Sequence, residues 1–103
     1  MVKKDQTYIG IDNDEFGGMT TIGGIIKDAW VFGVLPETQT GEGWNLSQIQ
    51  IVMDKVNAEW DKYGHLVSLL PEDIRQRHER IHGEALRKAR EQGWTPEWMN
   101  GEE

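Results

Sequence analysis

The chain has no cysteine, which excludes disulfide frameworks, thiolate nucleophiles and iron–sulfur ligation. Proline is scarce, and Pro36, Pro71 and Pro96 all lie between apolar-periodic segments rather than inside them, so proline interrupts no long helix. Bases are in deficit, with 11 lysines and arginines against 18 aspartates and glutamates and a formal net charge of −7. Such a surface is a poor match for nucleic acid, whose phosphates draw their affinity from neutralising bases, and for an anionic bilayer. No apolar run is long enough for a membrane span, because Lys27, Asp28 and several glycines break the longest one. The opening MVKKDQTYIG lacks the apolar core of a signal peptide, so the expected location is cytoplasmic.

What is present reads as one domain over residues 1–103, a length that builds a single core. Five tryptophans, Trp30, Trp44, Trp60, Trp94 and Trp98, supply large apolar area and argue for a folded chain. The segment Met19–Pro36, MTTIGGIIKDAWVFGVLP, stands apart. Ile22, Ile25, Ile26, Ala29, Trp30 and Gly33 recur at helical spacing after a candidate N-cap at Thr20 or Thr21. Val31, Phe32, Val34 and Leu35 extend the apolar surface around nearly the whole circumference. Gly23-Gly24 suits close backbone approach, and residues 30–34 would also fit a buried strand.

The remaining segments follow in order. Residues 1–18 form an extended arm in which residues 7–11 favour a short strand. Asp12-Asn13-Asp14-Glu15-Phe16-Gly17 begins like a calcium loop, but Phe16 replaces the fifth ligand and Gly23 the twelfth, so a turn leading to a helix is expected. Residues 36–43 are a polar linker. Asn45 with Gln48 three residues later is a capping-box pattern, followed by Ile49, Val52, Met53, Val56 and Trp60 at helical spacing and by Gly64. Pro71, Glu72 and Asp73 open a further helix whose bases gather at its end, Arg87, Lys88 and Arg90, before Gly93. Thr95-Pro96 starts a final turn and an acidic tail over 94–103. The expected fold is all-α: a small three-helix domain with helices at about 20–34, 46–63 and 71–92.

One stretch has the letters of a chemical motif. His78-Glu79-Arg80-Ile81-His82 satisfies H-E-x-x-H, in which two histidines one helical turn apart can hold a zinc ion and the glutamate can act as base toward a zinc-bound water. Over these five residues the chain resembles the zincin metalloproteases, and the resemblance implies His78 and His82 as ligands and Glu79 as base. The extended form is not met, since Ala85 and Lys88 occupy its glycine and third-histidine positions. No third ligand is evident from spacing, and His65 is the only other histidine. At 100° per residue both histidines turn toward the apolar side beside Ile81 and Ala85, a pattern that boundary imidazoles packed against tryptophan also satisfy. Tryptophans around Ala85 and Ala89 would suit a small-ligand pocket.

The function expected from these features is a non-enzymatic protein–protein interaction module, either a homo-oligomer or an accessory subunit. Ile25, Ile26, Trp30 and Val31 would be divided between the core and an interface, without a cofactor. The alternative is a metal-binding protein using zinc at His78 and His82, with hydrolysis through Glu79 as its strongest form.

Overall fold

A computed structural model describes residues 7–94. Among them are three α-helices and no strand: α1 (Thr21–Val31), α2 (Leu46–Asp61) and α3 (Glu72–Glu91). Short 3-10 turns lie at Ile11–Asn13, Glu15–Gly17 and Val67–Leu69. The final turn expected near Trp98 lies outside the described residues.

Helix α1 packs against both α2 and α3 and is the shared element of the core. Thr20 caps it by accepting from the Gly23 N–H at 3.1 Å, as the sequence indicated. Its other end differs from expectation. Instead of running to residue 34, the helix stops at Val31, and Gly33 takes φ 73°. The Gly33 N–H then donates to Trp30 O at 3.2 Å and the Val34 N–H to Ala29 O at 2.9 Å. These are the paired bonds of a Schellman motif with glycine at C′. Val34 and Leu35 therefore fold back and pack on the Ala29, Val52 and Val56 cluster beside Ile25, Trp44 and Trp60. The apparent apolar circumference of Met19–Pro36 is thus two pieces, a helix and a returning strand of chain that covers part of it.

Gly23 and Gly24 have separate roles. A Cβ at Gly23 would lie 2.7 Å from the Gly18 carbonyl carbon and 2.9 Å from its Cα, whereas nothing stands within 4 Å at Gly24. Only the first glycine is required by close approach.

Helix α2 begins as its sequence dictates. Asn45 Oδ1 accepts from the Gln48 N–H and Gln48 Oε1 from the Asn45 N–H, both at 2.9 Å, a reciprocal capping box. Val52 and Val56 turn into the core. Helix α3 starts after Pro71 with Glu72 and Asp73 in its first turn and Lys88 and Arg90 in its last, each sign matched to the helix dipole. It buries Ile81, Ala85 and Ala89. Arg77 Nη1 donates to Val31 O at 2.9 Å, so α3 satisfies an orphan carbonyl at the end of α1. Arg80 makes a two-pronged pair with Glu37 at 2.8 and 3.0 Å, and the Arg80 hydrogen bonds hold the Glu37 carboxyl below its usual pKa.

The described part of the N-terminal arm, from residue 7, forms no strand and turns into two 3-10 segments from Ile11 onward. Its partner is the polar linker: Tyr8 N–H donates to Trp44 O, Gly43 N–H to Tyr8 O, both at 2.8 Å, and Ile11 N–H to Thr40 O at 3.0 Å. In the loop that follows, Asp14 accepts from Tyr8 Oη at 2.6 Å, from Thr20 Oγ1 and from the Glu15 N–H. Burial pushes the Asp14 carboxyl up, but the Thr20, Tyr8 and Glu15 donors and the Lys27 charge hold it below its usual value. This aspartate is an internal acceptor within the turn that leads to α1.

Candidate functional site

The HERIH stretch lies mid-way along α3, and the helix repeat turns His78 and His82 to the side that carries Ile81 and Ala85. Asp28, one turn before the end of α1, meets them there. His82 Nε2 lies 2.8 Å from Asp28 Oδ1. Because a carboxylate only accepts, this contact fixes Nε2–H as the donor. The other carboxylate oxygen, Oδ2, accepts from Trp60 Nε1 of α2 at 3.2 Å. One aspartate on the central helix therefore ties both of its neighbours, giving the chain a polar hub at the junction of three helices.

His78 completes the cluster. Its ring stacks on that of His82 with centroids 4.3 Å apart and stands edge-on to Trp60 at 6.2 Å. Burial, and then the neighbouring His82, push its pKa below the usual histidine value against the opposing pull of Asp28 and Glu79. One ligand-capable atom from each of Asp28, His78 and His82 lies within 4.8 Å of the other two, and all three residues are half-buried. Arranged this way, the trio can cross-link helices or hold a cation with a coordination position left to solvent.

His65 does not join this group. Its ring stacks on Trp60 at 6.3 Å and its Nε2 is 2.6 Å from Asp61 Oδ1. Glu79 is exposed. Beside Ala85 lies a cavity of about 90 Å³ bordered by Trp30 and Ile81 and not by Ala89, well below the roughly 300 Å³ of ordinary small-molecule sites.

Two residues were not legible as site members. Asp28 lies 54 positions from His82, and only the packing of α1 on α3 brings them together. Lys27 reads only as a charge that breaks the apolar run, yet it is 3% exposed and its Nζ donates to Met19 Sδ at 3.6 Å. Burial lowers its pKa against the pull of Asp28 and Asp14.

Of the residues expected to be shared between core and interface, Ile26 and Val31 are 1% and 0% exposed and belong to the core. Ile25 and Trp30 are half-buried, with Trp30 Nε1 donating to Gln39 O at 2.9 Å. Among the described residues, the large apolar side chains that reach solvent lie elsewhere: Ile9, Phe16, Leu46, Ile51, Leu66, Val67 and Leu69. Three of these seven fall within four consecutive residues of the turn between α2 and α3.

No protein-family model matches the chain, and no curated protein or solved structure matches it either. No helix among the described residues is long and apolar enough to cross a membrane.

Proposed function

We propose that the chain is a small, non-catalytic interaction module that docks a protein partner through the turn joining α2 to α3. The observation that supports this reading is the exposure of Leu66, Val67 and Leu69 at 53%, 39% and 58%, next to Leu70, which is buried. Fully burying one such side chain is worth about 1.5–3 kcal/mol, so three together are a substantial unspent driving force.

The turn is also held in shape. His65 has φ 60°, a conformation costly for a residue with a Cβ. It is kept there by its N–H to Trp60 O at 3.1 Å, by its contact with Asp61 and by stacking on Trp60. Leu69 N–H donates to Leu66 O and Leu70 N–H to Val67 O, each at 3.1 Å. A rigid apolar turn loses little entropy on docking. The net charge of −7 favours a partner with basic groups around an apolar pocket over a second acidic copy.

A photo-activatable residue placed at Leu69 is expected to yield one discrete adduct in the source cell, and the same probe at exposed Asn57 of α2 none. Leu66→Ser in the same chain should weaken the adduct at least tenfold, in line with about 1.5 kcal/mol per buried leucine, while stability changes by less than about 0.5 kcal/mol. No adduct at position 69, or equal capture from position 57, would overturn the reading.

A further inference from the structure

The polar hub contains more than a tie between helices requires. The bond from His82 to Asp28, with Trp60 on the second carboxylate oxygen, already joins α1, α2 and α3. His78 adds a second imidazole 4.3 Å from the first, and among the described residues it makes no hydrogen bond. It is half-buried, and its neutral imidazole offers one acceptor nitrogen to a ligand.

We propose that Asp28, His78 and His82 bind one divalent transition-metal ion of the class that prefers imidazole and carboxylate together, zinc foremost. The site is independent of partner docking at the α2–α3 turn. Its donor set is two nitrogens and one oxygen, with ligand-capable atoms within 4.8 Å of one another. Ligands bound at 2.0–2.1 Å in a tetrahedron stand about 3.3 Å apart. The 2.8 Å contact between His82 and Asp28 must therefore open by about half an ångström as its bridging proton is replaced by the ion, and a separation as long as 4.8 Å must close by up to about 1.5 Å. Both histidines come from one face of one helix, one turn apart, and the carboxylate comes from a second helix, so the ligands are held by rigid elements.

The outer contacts suit the same role. Trp60 Nε1 orients Asp28 through the oxygen that His82 does not use, the arrangement by which second-shell donors fix a ligating carboxylate.

The test uses the full chain without a polyhistidine tag, stripped with chelator and titrated with zinc and, separately, cobalt(II). Expected are one zinc per chain by calorimetry and a Tm raised by about 10 °C at a hundredfold excess over Kd. Cobalt should give the visible bands of a four- or five-coordinate site. His78→Ala removes a ring that makes no hydrogen bond among the described residues, and it should weaken zinc binding about 100-fold or more and abolish the cobalt bands. Asp28→Asn retains an oxygen for Trp60 and should weaken zinc binding comparably; His78→Gln serves if the alanine variant fails to fold. Absence of stoichiometric binding, or binding left unchanged by both His78→Ala and Asp28→Asn, would overturn the proposal.

Discussion

Gly23→Ala is expected to destabilise the chain by about 3 kcal/mol, and Gly24→Ala, one position on, to stabilise it by about 0.5–1 kcal/mol. The sign changes because the two glycines meet different surroundings. At Gly23 the new methyl group would collide with the Gly18 backbone, carbonyl carbon at 2.7 Å and Cα at 2.9 Å. Backbone cannot rotate aside as a side chain can, so the loop ahead of α1 must move away from the helix and its contacts are loosened, a cost at the upper end of overpacking. That loop carries Asp14, whose carboxylate binds Tyr8, Thr20 and the Glu15 N–H, so the displacement reaches the N-terminal arm. At Gly24 nothing stands within 4 Å, and alanine gains helix propensity and loses unfolded-state entropy. Urea denaturation of the three chains, with unchanged m values, measures both effects. In a domain of this size the first corresponds to a fall in Tm of about 12 °C or more.

Asp28→Ala is expected to cost about 2–3 kcal/mol in metal-free buffer. The substitution leaves Trp60 Nε1 and His82 Nε2 without the acceptor they share at 3.2 and 2.8 Å, and half-buried donors stripped of a partner lose more than one ordinary hydrogen bond is worth. Asp28→Asn keeps one carbonyl oxygen and should cost about 1 kcal/mol. His82→Ala in the Asp28→Ala background should add less than it does alone, because the two residues act through one contact. Denaturation in the presence of chelator measures all five chains, and additive losses would show that Asp28 and His82 act separately.

Much of this fold was legible in the sequence. The capping box at Asn45 and Gln48 set the start of α2, and Pro71 with its acidic first turn set that of α3. Gly93 marked the end of α3, where its N–H donates to Arg90 O and that of Trp94 to Ala89 O. These signals are local: a few neighbouring residues satisfy the orphan groups of a helix end. The end of α1 had the same kind of signal in Gly33, but apolar Val34 and Leu35 fit helical spacing equally well. Periodicity does not distinguish a residue that continues a helix from one that folds back on it. The pairing of Tyr8 with Gly43 and Trp44 was hidden for another reason, because a glycine-rich polar linker offers no alternating pattern to match.

The candidate site divides along the same line. His78 and His82 share a face by helix geometry, so their proximity follows from sequence spacing alone. The extended motif would place a third ligand downstream, at position 88, whereas Asp28 comes from far upstream through the packing of α1 on α3. Lys27 was hidden likewise, since a charged residue beside Asp28 gives no local sign that tertiary packing will bury it.

The structural claim on which the rest depends is that Ile26, Ala29 and Val31 of α1 are buried by their own chain, while Leu66, Val67 and Leu69 of the α2–α3 turn reach solvent. Amide hydrogen exchange at protein concentrations a hundredfold apart tests this directly. Expected is strong protection of residues 25–31 that does not change with concentration. Protection of that segment only in the concentrated sample would contradict the claim and assign the cover to a second copy.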